Sequence, residues 1–136
     1  MAFAPQRLKR RREFLHVARA GRKWAAPGLV LQALNRRTPA TNSAAEGIKE
    51  NDVRLGFTVT RKVGNAVVRN RVRRRLRAAA ETVIPSHAAP GHDFVVIGRA
   101  GTIRRPFTDL VGDLESALKK LDAWEEETPN SGDQVL

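Results

Sequence analysis

The stretch VGNAVVRNRVRRRLR, residues 63–77, carries the strongest structural signal in the chain. Its apolar residues recur every three or four positions and the series continues beyond it: Val68, Val72, Leu76, Ala79, Ala80 and Val83. This period is that of an amphipathic helix, so we predict a helix from about Asn65 to Val83. Gly64 and Asn65 mark its start, because asparagine is a favoured N-cap residue.

The residues just before this helix follow a different period. Apolar side chains alternate with small or polar ones in the order Val53, Arg54, Leu55, Gly56, Phe57, Thr58, Val59 and Thr60. Strict alternation predicts a strand over residues 53–60 with one buried face. Its second face is polar and partly basic, and we interpret it as a binding face.

Weaker patterns predict the remaining elements, which are a helix at Arg10–Ala20, a strand at Leu29–Leu34, a loop at Pro85–Gly91, a short strand at Phe94–Ile97 and a last helix from Pro106. The run at 94–97 is apolar on both faces, which is typical of a central strand. The order of helix, strands, helix, strand and helix predicts an α+β fold.

Composition limits the function. The chain has 136 residues, with 25 Lys and Arg against 14 Asp and Glu, a net charge of +11 and no Cys. Such an excess favours a polyanionic partner, and the lack of Cys excludes disulfides, thiolate metal sites and cysteine nucleophiles. No apolar run approaches the roughly 18 residues of a membrane span, and the basic start lacks the apolar core of a secretory signal. We expect a cytoplasmic protein with no membrane partner.

Two segments lie outside the predicted elements. Residues 36–52 are rich in turn formers and small polar residues, and we predict a long hairpin loop within a single domain of residues 1–124. From Asp122 to Leu136 there are five acids and no Lys or Arg. This composition is too polar to pack, so we predict a disordered acidic tail over residues 125–136.

The basic face of the predicted helix at 65–83 indicates nucleic acid. Arginines four apart, such as Arg69 and Arg73, repel each other by roughly 0.2–0.5 kcal/mol per pair. They also occupy the half of the helix that its dipole makes unfavourable for cations. Every one of these cations is Arg, whose planar fork suits phosphates. A helix that sacrifices local stability in this way is better explained by a phosphate backbone than by a solvated surface, although composition leaves RNA and DNA both open.

The same segment resembles a known family, the protein subunit of bacterial ribonuclease P. The family signature specifies an ordered series of apolar, Ala, Arg-Asn and basic positions, which is matched here by Val63, Ala66, Arg69, Asn70, Arg71, Val72, Arg73, Arg74 and Leu76. Arg7–Gly21 is similar to the family's opening helix, residues 55–71 to its strand-to-helix core and Asp93–Arg99 to its last strand. The resemblance covers about residues 7–122.

The resemblance implies a fold and an activity. The fold is a single α+β domain of order α-β-β-β-α-β-α, with a four-stranded sheet packed with helices and a left-handed β-α-β crossover shared with a small-subunit ribosomal protein domain. The activity is that of an endoribonuclease holoenzyme. Its catalytic RNA uses Mg²⁺, held mainly by RNA, to remove the 5′ leader of precursor tRNA, and one monomeric protein binds that RNA and the leader.

The resemblance also implies the site residues. Positions matching those that bind the catalytic RNA are Arg69, Asn70, Arg71, Arg73, Arg74 and Arg77. Positions matching those that bind the leader, in a cleft between the first helix and the sheet, are Phe14, Thr60, Arg61, Lys62 and Arg99. Ala18 and Gln32 stand where the family often has aromatic residues. This departure predicts a leader cleft that acts mainly through charge.

The sequence gives little support to a metal site or a catalytic site in the protein itself. His87, His92 and Asp93 match no strong metal template, and the body of the chain offers no carboxylate cluster for two metal ions. We therefore predict no metal site and no catalytic residue in the protein itself. Two alternatives stay open: a ribosomal or other structured-RNA-binding protein without a processing role, and a DNA-binding regulator, for which the chain lacks a dimerisation element.

Overall fold

The computed structural model describes residues 5–37 and 50–126. The strands are β1 (Gln6–Arg7), β2 (Arg22–Ala25), β3 (Leu29–Asn35), β4 (Arg54–Thr58) and β5 (His92–Gly98). The helices are α1 (Arg11–Ala20), α2 (Ala66–His87) and α3 (Phe107–Lys120), and short 3₁₀ turns occupy Arg61–Val63 and Ala100–Ile103. This is the predicted α+β domain.

The strands form one mixed sheet in the order β1-β4-β5-β3-β2. β5 lies in the middle, as its run of apolar residues on both faces predicts, and it pairs antiparallel with β3 and parallel with β4. Because α2 connects the parallel strands β4 and β5, these three elements form a β-α-β unit.

The sheet has five strands, so the expectation of four is corrected. The added strand, β1, is two residues long and pairs parallel with the outer edge of β4. Periodicity in the sequence also missed β2, although the order that the family resemblance implies has one more strand between the first two helices than periodicity found. All four residues of β2 are exposed, so this strand has no alternation between buried and exposed positions to reveal it.

The connection between β3 and β4 is not a hairpin, and the prediction for residues 36–52 is wrong in that respect. Asn35 ends β3 opposite His92, and Arg54 begins β4 opposite Asp93, so β5 lies between the two strands. The connection therefore links two strands that are not neighbours. Residues 38–49 of the predicted loop lie outside the described residues.

The end of α2 also differs from the prediction. Pro85 lies inside the helix, which continues to His87, and the amide of Ala88 still donates to the carbonyl of Ile84. Proline removes the bond to the carbonyl of Glu81, and Glu81 lies on the exposed side of the helix. The predicted loop at 85–91 is thus reduced to residues 88–91.

Glu125, the first residue of the predicted tail, contacts the end of α2. The amide of Glu125 donates to the carbonyl of His87 at 2.7 Å, and the ring of Trp124 stacks on His87 with centroids 4.0 Å apart. These contacts attach the chain to the end of α2 at that point. Residues 127–136, the rest of the predicted tail, lie outside the described residues.

Helices cover both faces of the sheet. On one face α2 and α3 pack against β3, β4 and β5 to form the main core, whose largest fully buried members are Leu29, Leu31, Leu76, Ile84, Phe94, Leu110, Leu114 and Leu118. On the other face α1 makes a smaller core from Leu8, Val17, Leu34 and Val95, with Phe14 and Ile97 at its border. Within the part of the chain that the structure describes, no helix is long and apolar enough to cross a membrane.

Candidate nucleic-acid interface

The basic helix α2 begins where the sequence predicts. The side chain of Asn65 accepts a hydrogen bond from the amide of Val68 at 3.0 Å, which caps the helix. Gly64, just before it, has a φ of 157°. A Cβ atom there would lie 2.9 Å from the Val68 side chain, so the turn into α2 requires glycine.

One face of α2 forms a shallow, cation-lined groove of about 460 Å³. Its lining residues follow helical spacing, and we call them the arginine groove: Val67, Asn70, Arg73, Arg74 and Arg77. Four of the six residues predicted to bind the catalytic RNA are therefore in one place. The groove also contains Val67, which the sequence analysis did not single out and which is 62% exposed.

Two contacts orient side chains of the arginine groove. The Arg73 guanidinium donates to the amide oxygen of Asn70 at 3.1 Å. Since Arg has only donors, this bond leaves the amide nitrogen of Asn70 as a further donor. The Arg77 guanidinium lies over the ring of Phe57, with its central carbon 5.7 Å from the ring centroid. The groove thus presents hydrogen-bond donors and positive charge, which suits phosphate oxygens.

The other two predicted residues, Arg69 and Arg71, do not line this groove. Arg69 is half-buried and Arg71 exposed. Arg75 has a different role from its neighbours, because one guanidinium nitrogen donates to the backbone carbonyl of Arg105 and its Nε atom is buried. Arg75 therefore ties α2 to the turn before α3.

On the opposite face of the sheet, α1 leaves a strip uncovered. Val30, Thr58 and Ile97 lie side by side across β3, β4 and β5, and all three are half-buried. We call these residues the open strip. The ring of Phe14, on α1, borders the open strip. This ring packs closely on β4, since a Cβ atom at Gly56 would lie 2.6 Å from it.

The predicted leader-binding cations lie at one end of this strip. Neighbouring parallel strands have their carboxyl ends on the same side of the sheet. Thr60, Arg61 and Lys62, which follow β4, therefore lie on the side where Arg99 follows β5. All four of these residues are exposed. Arg99 is also fixed in place, because its guanidinium donates to the carbonyl of Ala26 at 2.6 Å.

The two departures from the family pattern flank the same region. Ala18 is exposed on α1, one turn after Phe14, and Gln32 is half-buried on β3 opposite Val95. Neither supplies an aromatic ring. Within the described residues, the surface around the open strip therefore combines one ring, that of Phe14, with the cations at the strand ends.

The interpretation of the polar face of β4 as a binding face is wrong for the start of the strand, because Arg54 is buried there. Arg54 is only 4% exposed, and its guanidinium makes two hydrogen bonds to Asp93, of 2.8 and 2.6 Å, and one of 2.7 Å to Glu13. Gly56, on the same face, is buried under Phe14. Helix α1 covers this part of the face, which alternation along one strand does not reveal.

His92 and Asp93, considered as metal-ligand candidates, have structural partners. Asp93 is fully buried and pairs with Arg54 and Arg36. The His92 ring stacks on Phe94 and hydrogen-bonds the carbonyl of Pro90 through Nδ1 at 3.1 Å. Across residues 5–37 and 50–126, no group of three or more His, Cys, Asp or Glu side chains could hold a metal ion.

Burial and charge set the pKa of His92. Burial lowers it, the carbonyls of Pro90 and Ala89 raise it, Arg36 lowers it and Asp93 raises it, and the net result is a pKa below the ordinary value of 6.5. The ring is therefore neutral at pH 7, and it donates its Nδ1 proton to Pro90.

The fold and this surface define a class of protein: a small, strongly basic α+β domain with a cation-lined helix and a half-covered sheet face. The family model for ribonuclease P matches residues 4–122. The chain therefore belongs to the ribonuclease P protein family.

Individual relatives agree with this assignment. The ribonuclease P protein component of Paramagnetospirillum magneticum is 51% identical over 123 residues, which span 90% of this chain and 87% of that protein. That of Gluconacetobacter diazotrophicus is 52% identical over 120 residues, 88% of this chain and 94% of that protein.

Among solved structures, the Staphylococcus aureus RNase P protein matches with a TM-score of 0.67 and 25% identity, over 90% of this chain and 100% of that one. The Thermotoga maritima RNase P protein matches with a TM-score of 0.62 and 27% identity, over 85% of this chain and 94% of that one.

Proposed function

We propose that this chain is the protein subunit of a ribonuclease P holoenzyme and that one copy binds the catalytic RNA through α2. The arginine groove is the single observation that supports this most directly. It places Asn70, Arg73, Arg74 and Arg77 in one donor-rich surface, and Arg69 and Arg71 extend the charge on either side. Like charges at this density destabilise a free helix, so a polyanion that neutralises them gains affinity.

The second part of the proposal is that the open strip receives the 5′ leader of precursor tRNA. A single-stranded segment needs a groove with positive charge along its backbone and a surface on which a base stacks. Arg61, Lys62 and Arg99 supply the charge, Thr60 supplies a hydroxyl, and Phe14 is the ring. The leader and the catalytic RNA would then occupy opposite faces of the sheet, so the protein holds substrate and catalyst together.

The third part is that catalysis belongs to the RNA. Hydrolysis of a phosphodiester at neutral pH needs an activated water and a stabilised leaving oxygen, usually through Mg²⁺ held by carboxylates or phosphates. The arginine groove offers guanidinium groups, which stay protonated and do not act as general bases. We therefore expect Mg²⁺ to be held mainly by RNA, and the protein to tighten substrate binding by reducing repulsion between two polyanions.

A cleavage assay tests this function. Precursor tRNA labelled at its 5′ end is incubated with the protein alone, the catalytic RNA alone and both together, at several Mg²⁺ concentrations. We expect no cleavage by the protein alone, and with both components correct cleavage at a lower Mg²⁺ concentration than the RNA needs by itself. Site-specific cleavage by the purified protein would contradict the proposal, especially if His92→Gln or Asp93→Asn abolished it.

A further inference from the structure

Four charged side chains form a continuous chain of ion pairs beneath α1. Glu13 contacts Arg54, Arg54 contacts Asp93, and Asp93 contacts Arg36. Arg36, Arg54 and Asp93 are 6% exposed or less. We call these four residues the ionic chain. It lies on the same sheet face as the open strip and joins α1 to β4, β5 and the end of β3.

A buried ionic chain is an unusual way to attach a helix to a sheet. Charges lose their hydration when they are buried, so such pairs add little stability compared with apolar side chains of similar volume. Such pairs instead fix the orientation of the side chains, because a bidentate pair such as Arg54 with Asp93 has one preferred geometry. The remaining Arg54 nitrogen is thereby aimed at a fixed point, where it meets the Glu13 carboxylate at 2.7 Å.

Glu13 connects this fixed point to the backbone of α1. Its other carboxylate oxygen accepts from the amides of Lys9 and Arg10, at 2.8 Å each, and so caps the helix. The next residue is Phe14, whose ring rests on Gly56 at the border of the open strip. The position of the carboxylate therefore sets where α1 begins over the sheet and where the ring lies.

We propose that Glu13 is a positioning residue for leader binding, which it controls by holding α1 and Phe14 at a fixed distance from the open strip through Arg54. This inference rests on the proposed function, in which the open strip receives the leader. Glu13 itself does not touch the leader in this arrangement, since its two oxygens are occupied by Arg54 and by the helix amides.

The charge state of Glu13 suits this task. Burial raises the pKa of Glu13, but the amides of Arg10 and Lys9 and the Arg54 guanidinium outweigh burial and hold it below the ordinary value of 4.5. The carboxylate is therefore ionised at neutral pH. The charged groups that face it are Arg54 and, behind Arg54, Asp93.

Glu13→Gln removes the ion pair that positions α1 over the sheet but keeps the hydrogen bonds that cap the helix. The amide oxygen of Gln would still accept from the Lys9 and Arg10 amides, so its nitrogen would face Arg54 and place two donors against each other. Glu115→Gln is the matched control, because it removes the same charge from α3, on the other face of the sheet. Arg54→Lys is a second variant, which keeps a positive charge beside Asp93 but removes the fork that also reaches Glu13.

The measurement uses the holoenzyme assembled with catalytic RNA and compares precursors with long and short leaders. For Glu13→Gln and Arg54→Lys we expect KM for the long-leader precursor to rise about tenfold, the amount expected when one base stack is lost. We expect unchanged kcat, unchanged KM for the short-leader precursor and unchanged affinity for the catalytic RNA. Glu115→Gln should match the wild type throughout.

Three results would overturn the positioning role of Glu13. A normal preference for long leaders in both variants would show that the ionic chain does not position the cleft. Equal losses with long and short leaders, or loss of a cooperative thermal transition, would show that its role is general stability. If the wild type itself shows no dependence on leader length, the proposed leader site is wrong, and that failure is distinct from the failure of the positioning role.

Discussion

Gly56 shows how one residue shapes the surface beside the open strip. It lies on β4 directly beneath Phe14, and a Cβ atom there would approach the ring to 2.6 Å and Leu8 to 3.1 Å. Such a close contact forces the ring, and with it α1, to shift. The absence of a side chain at this position thus determines how low α1 lies on the sheet, as the ionic chain determines where it begins.

We predict that Gly56→Ala lowers the free energy of unfolding by roughly 1–3 kcal/mol, the usual cost of overpacking. Denaturant unfolding measures this. Gly112→Ala on α3 is the control: its Cβ would meet nothing within 4 Å, so it should stabilise the protein by up to about 1 kcal/mol through helix propensity. Adding Phe14→Leu to Gly56→Ala should recover part of the loss, and strictly additive effects would contradict the proposed contact.

A second prediction concerns the pH dependence of stability at His92. Its pKa is lowered in the folded protein, so below the ordinary value of 6.5 the unfolded chain binds a proton that the folded chain does not. Stability is therefore greatest above this value and falls as the pH decreases towards the folded pKa. We expect the melting temperature of the wild type to fall more steeply than that of His92→Gln between about pH 7 and 5. Parallel curves for the two proteins would refute this.

At the scale of elements, adjacent arginines on α2 differ in role. Arg74 lies in the arginine groove and is exposed, whereas Arg75 donates to the Arg105 carbonyl. We predict that Arg74→Ala weakens binding of the catalytic RNA and leaves the melting temperature unchanged or slightly raised, because like-charge repulsion decreases. Arg75→Ala should cost roughly 1–3 kcal/mol of folding stability by leaving a partly buried carbonyl without its partner.

Filter binding and thermal melting of the two variants measure this difference. The pair is well matched, since each change removes one Arg from the same helix. Comparable losses of stability in both variants would mean that Arg74 also has a structural role, and the arginine groove would then be a feature of the fold rather than a binding surface.

The sequence predicts the elements with a clear apolar pattern and misses those without one. α2 and β4 are evident from their periods and β5 from its run of apolar residues, because each packs against the core along most of its length. β1 and β2 are not, since two residues at an edge and four exposed residues have no period, and pairing with β4 and β3 alone makes them strands. The same limit applies to the site. The arginines of the groove are evident from composition, but the burial of Arg54 depends on α1, which is distant in sequence.

At the scale of the whole molecule, positive charge is present on both sides of the sheet. The arginine groove is on the side of α2, whereas Lys9, Arg10, Arg11 and Arg12 are exposed around the start of α1. The acid nearest to this second group, Glu13, is already paired with Arg54. Positive charge therefore faces both sides of the sheet in a chain of net charge +11, and attraction to RNA should be long-ranged and sensitive to salt.

The last prediction is the size of that salt effect. If α2 makes about five phosphate contacts, the logarithm of the RNA affinity should fall with the logarithm of salt concentration with a slope of about −4 to −5, on the scale measured for duplex DNA. Between about 50 and 200 mM salt, this amounts to a loss of two to three decades in affinity. Arg74→Ala should reduce the slope by about one unit, as expected when one phosphate contact is removed.

Arg22 is the control cation, because it lies on β2, at the opposite edge of the sheet from β4, and pairs with Asp122 at 3.7 Å. Arg22→Ala should leave the slope unchanged. An equal reduction in both variants would mean that the RNA responds to net charge alone, and the arginine groove would then have no specific role in binding it.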